Sequence, residues 1–290
     1  MNAEHNLFRD PDRIALITGT SSGFGLLTAL TLARRGYKVV ATMRDLSRQT
    51  GLVQQAEQAG VLERIHLMTL DVTEESSIAA AARKITEQFG RIDVLVNNAG
   101  FAVGGFVEEV SMDEWRRQME TNFFGLIAVT KAVLPVMRAQ GEGQIINVSS
   151  VSGLTGFPGY APYAASKFAV EGFSESLRQE LRSFGIKVVL VEPGSFRTPI
   201  WGKGIAGMHT REDSPYQARL DEVLRYSRKS AETAPDPQEV AELIGRITGK
   251  SKPRLRYPVG KGSRLLIVAK TLLPWKLLES IVARSLKAMK

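Results

Sequence analysis

Six short apolar runs, each followed by a longer helical pattern, constrain this chain more than anything else in it. The runs span 13–18, 38–43, 64–70, 92–97, 143–149 and 187–192. The helical segments between them lie near 24–35, 47–59, 74–89, 111–139 and 161–184. Runs such as RIALIT, KVVATM and IDVLVN are apolar throughout rather than alternating, so both faces of their sheet must be covered. With right-handed crossovers this predicts an α/β fold, a Rossmann-type doubly wound parallel sheet in three αβα layers, with ligands at the carboxyl ends of the strands.

No linker or shift of composition divides the first 195 residues, and the reading is a single domain. The predicted organisation is a polar N-terminal tail over 1–12, a Rossmann-fold catalytic domain over 13–260 and a C-terminal amphipathic helical extension over 261–290. Within the domain the strand–helix rhythm lapses over 195–235, where Gly202, Gly204, Gly207 and Pro215 predict a loose substrate loop. A helix over 237–248 and a short strand near 254–258 restore order. Pro274 breaks the extension into one or two helices.

Composition removes several function classes. The chain has 290 residues and no cysteine, which excludes disulfides, thiolate metal sites and a cysteine nucleophile. Its three histidines, His5, His66 and His209, stand in no metal or triad pattern, and no G-x-S-x-G or H-E-x-x-H motif occurs, so no metal site is expected. The net charge of +8 is spread along the chain and densest after residue 245, without an RNA-binding aromatic signature; a solvated basic surface is expected, with no nucleic-acid partner. The N-terminal segment lacks the apolar core of a signal peptide. Together with the missing cysteines, this predicts a cytoplasmic protein.

Thr18-Gly19-Thr20-Ser21-Ser22-Gly23-Phe24-Gly25 follows the first run and opens the first helix. Glycines there let the backbone approach a pyrophosphate, which binds at the positive end of the helix. A carboxylate ending the second strand would accept hydrogen bonds from the adenosine ribose hydroxyls and repel a 2′-phosphate. This chain has Met43 and then Arg44, whose guanidinium suits a 2′-phosphate, so the predicted cofactor is NADP(H). Asp45 is the counterargument; it is read as beginning the next turn, with Ser47 as helix cap.

Tyr163-Ala164-Ala165-Ser166-Lys167 puts a phenol and a cation one turn apart on one helix face. A cation in that position is expected to lower a phenol pKa that is otherwise about 10 and to fit Tyr163 for proton exchange near neutral pH. Tyr160, with Ala164 four residues on, has no such partner and is read as a pocket wall.

TGxxxGxG, Asn97-Asn98-Ala99-Gly100, Ser150, Tyr163-x-x-x-Lys167 and Pro193-Gly194 with Thr198 occur in this order, and the set resembles the short-chain dehydrogenases/reductases over residues 13 to 200. The resemblance implies that Asp71 and Val72 flank the adenine, that Asn98, Ala99 and Gly100 line the cofactor's path, and that Val191, Pro193 and Thr198 contact the nicotinamide end. It implies Tyr163 as general acid/base, Ser150 as a donor to the reacting oxygen, Lys167 as a ligand of the nicotinamide ribose, and Asn122 as holder of a relay water. It further implies a homodimer or homotetramer through the 111–139 and 161–184 helices. Within the family, the stretch from Val148 to Thr198 is most similar to 17β-hydroxysteroid and retinol dehydrogenases, implying a bulky apolar carbonyl or alcohol substrate. A 3-ketoacyl reductase and a non-catalytic NADP(H)-binding regulator are the alternatives.

Phe101, Val103, Leu154, Phe157, Tyr160, Trp201 and Met208 are the expected pocket residues. In the extension, leucines 265, 266, 272, 273, 277 and 278, with Val268, Trp275, Ile281 and Val282, can form an apolar face. Lys261, Arg264, Lys270, Lys276, Arg284 and Lys287 edge it. It is read either as a helical cap beside the cleft or a subunit, or as a weak peripheral membrane contact.

Overall fold

The structure, a computed structural model, describes residues 13–287; the polar tail 1–12 with His5, residues 288–290 and the Lys287 side chain lie outside what is described. Seven strands, β1 (Ile14–Thr18), β2 (Lys38–Met43), β3 (Ile65–Thr69), β4 (Val94–Asn97), β5 (Gly143–Val148), β6 (Ile186–Pro193) and β7 (Arg256–Val259), form one sheet. Every pairing is parallel, in the order β3-β2-β1-β4-β5-β6-β7. The helices are α1 (Gly23–Arg34), α2 (Thr50–Gln58), α3 (Glu75–Phe89), α4 (Met112–Met119), α5 (Gly125–Gln140), α6 (Ala161–Glu180), α7 (Pro199–Ala206), α8 (Gln217–Glu232), α9 (Gln238–Thr248), α10 (Ser263–Leu272) and α11 (Trp275–Lys287).

The uninterrupted apolar strands are explained by two cores, one on each face of the sheet. On one side Leu26, Leu30, Leu52, Val240 and Ile244 from α1, α2 and α9 pack on alternate strand residues such as Ile17 and Val39. On the other, Ile85, Val133, Met137 and Leu177 from α3, α5 and α6 pack on Leu16, Val40 and Leu95. The fold is a single Rossmann-like domain. Chain order reverses between β1 and β4, and the crevice beyond their carboxyl ends is where such a sheet takes a ligand.

Two expectations of the sequence reading change. The long helix of 111–139 is interrupted by one wide π turn, Glu120–Phe124, between α4 and α5. Such a turn inserts a residue and rotates the helix beyond it; Asn122 lies within it and is buried. By length and composition alone the run Met112–Gln140 could cross a bilayer, yet Leu126, Val129, Val133 and Met137 are buried in the domain. The second change is over 195–235, which is not a loose loop: it holds α7 and α8. Pro199 pre-sets the first turn of α7. In α8, Leu220, Val223 and Ser227 form a narrow buried stripe among polar neighbours, too thin to stand out in the sequence.

Candidate active site

The Thr18–Gly25 turn is welded to the Asn98–Gly100 turn. Thr18 Oγ1 accepts from the amides of Asn98 and Ala99, both at 3.0 Å, while Asn98 Nδ2 donates to the carbonyls of Thr18 at 2.9 Å and Gly19 at 3.0 Å. Gly19 has φ +73°, and a Cβ there would stand 2.8 Å from Ala99 Cα. A Cβ on Gly25 would stand 2.2 Å from the Gly19 carbonyl oxygen. Only glycine permits this approach. Ser22, at the N-cap of α1, makes no side-chain cap hydrogen bond, so the first helical amides are not taken up by it.

A cleft of about 470 Å³ runs from this turn between Arg44 and Tyr163. Ser21, Ser22, Gly23, Phe24, Asp71, Val72, Asn98, Ala99, Gly100 and Thr198 line it, as the sequence reading expects of cofactor ligands. Thr18 and Gly25 do not line it; they build its floor. Pro193 and Gly194 line the neighbouring cavity instead. The glycine turn, the open helix end and the cationic Arg44 fit the pyrophosphate and sugar phosphates of a dinucleotide.

At the adenosine end, the cap role expected of Ser47 belongs to Asp45. Its carboxylate accepts from Ser47 N at 2.9 Å and Ser47 Oγ at 2.7 Å, which holds its pKa below the usual carboxylate value. Arg44 is largely exposed and lies 3.9 Å from Asp71, and Arg48, unremarked in the sequence, lines the same end of the cleft. His209, read as a bystander, lines the cleft too, 3.6 Å from Glu114.

A second cavity of about 210 Å³ meets the first at Tyr163. Ser150, Phe157, Tyr160 and Trp201 line it as expected. Phe101 and Val103 line the dinucleotide cleft instead, and neither Leu154 nor Met208 lines the second cavity. Residues not named for the cavity include Ile200 of α7 and Tyr226 and Ser227 of α8, helices the sequence reading left as a loop, and Leu266 of α10, which it placed in the helical extension. The Phe157 and Tyr226 rings lie 4.7 Å apart, tilted by 31°, Tyr160 Oη and Ser227 Oγ are 3.1 Å apart, and Trp201 Nε1 donates to the Phe196 carbonyl at 2.9 Å. These bonds fix the aromatic walls.

Tyr163 is half-buried, its ring opening on the cleft, and the protein packed around it pushes the phenol pKa up; a hydrogen bond with Ser150 opposes the rise. This corrects the expectation that Lys167 lowers it. Lys167 Nζ lies 5.8 Å from the Tyr163 ring centroid and donates to the Val148 carbonyl at 2.8 Å. Burial lowers its own pKa to about 8, against the opposing pull of Glu171. With a pKa of about 8 the ammonium is still mostly charged at neutral pH, but the rise that burial gives the phenol outweighs its pull. Ser150 Oγ accepts from Ser152 N at 3.1 Å and donates to the Pro193 carbonyl at 3.4 Å, a long bond that an incoming oxygen can replace.

Asn122 is held by hydrogen bonds that its spacing does not announce. Its Oδ1 accepts from Phe101 N at 3.1 Å, and its Nδ2 donates to the Phe101 carbonyl at 2.9 Å and to Ser166 Oγ at 3.2 Å. Both amide protons are used, and the side chain clamps the segment after Gly100 to α6. Behind the site, Asn97 donates to Thr130 and Asn147, and Asn147 to Ser174, a buried chain across β4, β5 and α6.

Beneath Lys167 lies a buried acid pair. Glu171, one turn along α6, and Glu192 of β6 share Arg256 of β7, which also donates to Glu175 at 2.5 Å. Glu171 Oε1 and Glu192 Oε2 have no protein hydrogen-bond partner. Burial, then the neighbouring Glu171, pushes Glu192 up to about 8. Burial also raises Glu171. The signal in the sequence was a glutamate inside the apolar run KVVLVE, which demands a buried partner.

The short chain dehydrogenase family matches residues 13–207. The chain belongs to that family. It is an oxidoreductase of the short-chain dehydrogenase type. An uncharacterized oxidoreductase, YusZ, of Bacillus subtilis (strain 168) is 48% identical over 94% of this chain and 98% of its own. Retinol dehydrogenase 8 of Bos taurus is 39% identical over 91% of this chain and 87% of its own. Two solved structures, each 27% identical, hold different cofactors. A Burkholderia cenocepacia gluconate 5-dehydrogenase in complex with NADP and tartrate superposes with TM-score 0.75, covering 91% of this chain and 99% of that one. A Burkholderia phymatum short chain dehydrogenase/reductase in complex with NAD superposes with TM-score 0.77, covering 92% and 94%.

Proposed function

We propose that this short-chain dehydrogenase interconverts a bulky apolar carbonyl compound and its alcohol with NADP(H), Tyr163 acting as general acid/base. The reading is carried by one observation: Tyr163 stands where the dinucleotide cleft and the aromatic-walled cavity meet, and Ser150 lines that cavity with it. The cofactor, when bound, supplies or accepts the hydride.

The protein's part is proton handling and alignment. In reduction Tyr163 gives its proton to the oxygen of the reacting carbonyl, and in oxidation it takes the alcohol's proton. Ser150 gives up its long bond to Pro193 and donates to the same oxygen. Lys167, anchored on Val148, is the ligand for the nicotinamide ribose, and Asn122 keeps the segment after Gly100 beside α6, with one Oδ1 lone pair left for a relay water. Because burial raises the Tyr163 pKa, the acid form dominates at neutral pH, which favours reduction there and oxidation at alkaline pH.

Support for NADP(H) comes from Arg44 and Arg48 at the cleft's adenosine end and from Asp45, whose carboxylate is occupied by Ser47. Phe157, Tyr160, Trp201 and Tyr226 support a steroid-, retinoid- or lipid-like substrate, as does the likeness to a retinol dehydrogenase. The same proposal includes a cytoplasmic homodimer or homotetramer through the 111–139 and 161–184 helices, where Phe124 and Phe168 are exposed, and a bilayer contact through the C-terminal helices.

A panel containing a steroid, a retinoid and a short-chain ketone, each followed by NADPH and NADH absorbance, tests the reading. Tyr163→Phe should lower turnover by about 10²–10⁴-fold while leaving cofactor binding intact. A folded, cofactor-binding variant with full turnover sinks the assignment, and a clear preference for NADH sinks the argument from Arg44.

A further inference from the structure

Large apolar side chains that are exposed concentrate on α10 and α11. Leu265, Val268, Leu272, Trp275, Leu277 and Ile281 are each 46% to 73% exposed. Leu265, Val268 and Leu272 follow one another at three- and four-residue spacing on α10, and Leu277 and Ile281 repeat the four-residue spacing on α11. Each helix therefore has an outward apolar stripe. The hairpin is seated from its other side. Leu266 lines the substrate cavity, Leu286 is buried, and Lys270 donates to the Leu154 carbonyl while lying 4.8 Å from the Phe168 ring centroid. The outward stripe is thus left over after the packing of the hairpin on the domain has been satisfied.

Charge decides what covers it. Lys261, Arg264, Lys276 and Arg284 are all exposed on this hairpin, and Glu279 is the one acidic residue in it. In Trp275 the indole N–H is turned to Glu279, at 2.8 Å, and the ring is left outward. An apolar stripe edged by cations, with an exposed tryptophan, matches a surface whose interior is hydrocarbon and whose face is anionic. A second copy of the same face would instead set these cations against each other, in a chain whose net charge is already +8.

We propose that the α10–α11 hairpin docks on the surface of an anionic lipid bilayer, its apolar stripes entering the headgroup boundary and its cations contacting lipid phosphates. Leu266, next to the outward Leu265, belongs to the cavity wall, so docking brings that cavity beside the phase in which apolar carbonyl compounds dissolve. This delivery role rests on the oxidoreductase reading; the docking itself does not.

The test is co-sedimentation of the full chain with vesicles of phosphatidylcholine and phosphatidylglycerol at 70:30, against pure phosphatidylcholine. Binding is expected to the anionic vesicles and to weaken with salt. Leu272→Ser with Trp275→Ser should lower the partition coefficient by about tenfold or more, and Lys261→Ser with Arg264→Ser should abolish the preference for anionic lipid. These positions are exposed, and turnover of a water-soluble ketone should be unchanged in both variants. Vesicle binding without turnover of any ketone would overturn the oxidoreductase reading and leave the docking standing. Absence of sedimentation, sedimentation indifferent to the substitutions, or a drop in oligomer size caused by Leu272→Ser with Trp275→Ser would each overturn the docking, the last by showing a second copy on the stripe.

Discussion

Residues 13–194 and residues 195–287 build the two cavities that meet at Tyr163 in different ways. The dinucleotide cleft is shaped largely by backbone: positive-φ glycines, an open helix end and two turns held by carbonyls and amides. The substrate cavity is walled by side chains that α7, α8 and α10 bring from distant positions: Trp201, Tyr226, Leu266. A backbone site has few solutions and tolerates few changes. A side-chain site is remodelled by substitution while its frame stays. The difference teaches where to expect fragility and where plasticity.

Gly25→Ala presses hardest on that contrast. The new Cβ would meet the Gly19 carbonyl oxygen at 2.2 Å and Asn98 Nδ2 at 2.5 Å, both held by the bonds that join the two turns. The turns must separate. A cost of about 3 kcal/mol or more is expected, read as a lowered denaturation midpoint together with lost dinucleotide affinity by fluorescence titration. A variant that keeps its affinity would show the cleft to be as plastic as the cavity.

Arg256→Leu breaks the contrast from the other side, because β7 belongs to the second region and its guanidinium serves the first. Without it Glu171 and Glu192 stay buried and lose their shared cation. Removing one partner of a buried ionic cluster costs about 3–5 kcal/mol; Arg256 is partly exposed, so the lower end is expected. Urea denaturation at pH 8.5 should show the loss in full, and at pH 5 less, since Glu192 is then protonated. An equal loss at both values would mean that Arg256 acts by packing alone.

The same cluster shows why the site was legible only in part. Tyr163 and Lys167 are four residues apart and the glycine turn is continuous in sequence, so local geometry carried them. The Asp45 cap is a local, exposed bond to Ser47 two residues on, whereas the acid pair and the Asn122 clamp depend on what packs beside them. Asn122 illustrates this: a single wide turn of helix, which no residue pattern announced, aimed its amide at Phe101. Lys167 is another case. Spacing put it beneath Tyr163, but burial, which spacing does not report, lowers its own pKa to about 8 and raises that of the phenol. The six strands stood out because burial on both faces makes them uniformly apolar, whereas α8 buries a stripe only one residue wide.

The pH dependence of stability separates the two ionisable groups beneath the site. Glu192 titrates at about 8 in the folded chain against 4.5 ordinarily, so the folded state holds a proton that the unfolded chain has released. Stability from this group is full below about pH 4.5 and is lost as pH rises towards 8. Lys167 runs oppositely: its pKa falls from 10.5 to about 8, so stability rises between those values as the unfolded chain gives up its proton. A minimum near pH 8 is expected in a melting-temperature series. Glu192→Gln should flatten the acid-side limb and leave the alkaline limb, and a variant that flattens both would show that the two groups titrate as one.

Gly202→Ala predicts the smallest effect and tests whether the second region is plastic by design of its helix. Gly202 is exposed in the middle of α7, has a helical backbone, and a Cβ there meets nothing within 4 Å. Alanine in place of glycine in such a position stabilises a helix by about 1 kcal/mol, worth about 2 °C in melting temperature if α7 unfolds with the domain. A further glycine, Gly204, weakens the same helix and Gly207 ends it, and the helix carries Ile200 and Trp201 on the cavity wall. A helix that must give way to admit a bulky ligand gains nothing from being stiffened. The expected result is a higher melting temperature with slower turnover of a steroid-sized carbonyl and unchanged turnover of a short-chain ketone. If both substrates respond alike, α7 is a fixed wall, and the cavity shares the rigidity of the cleft.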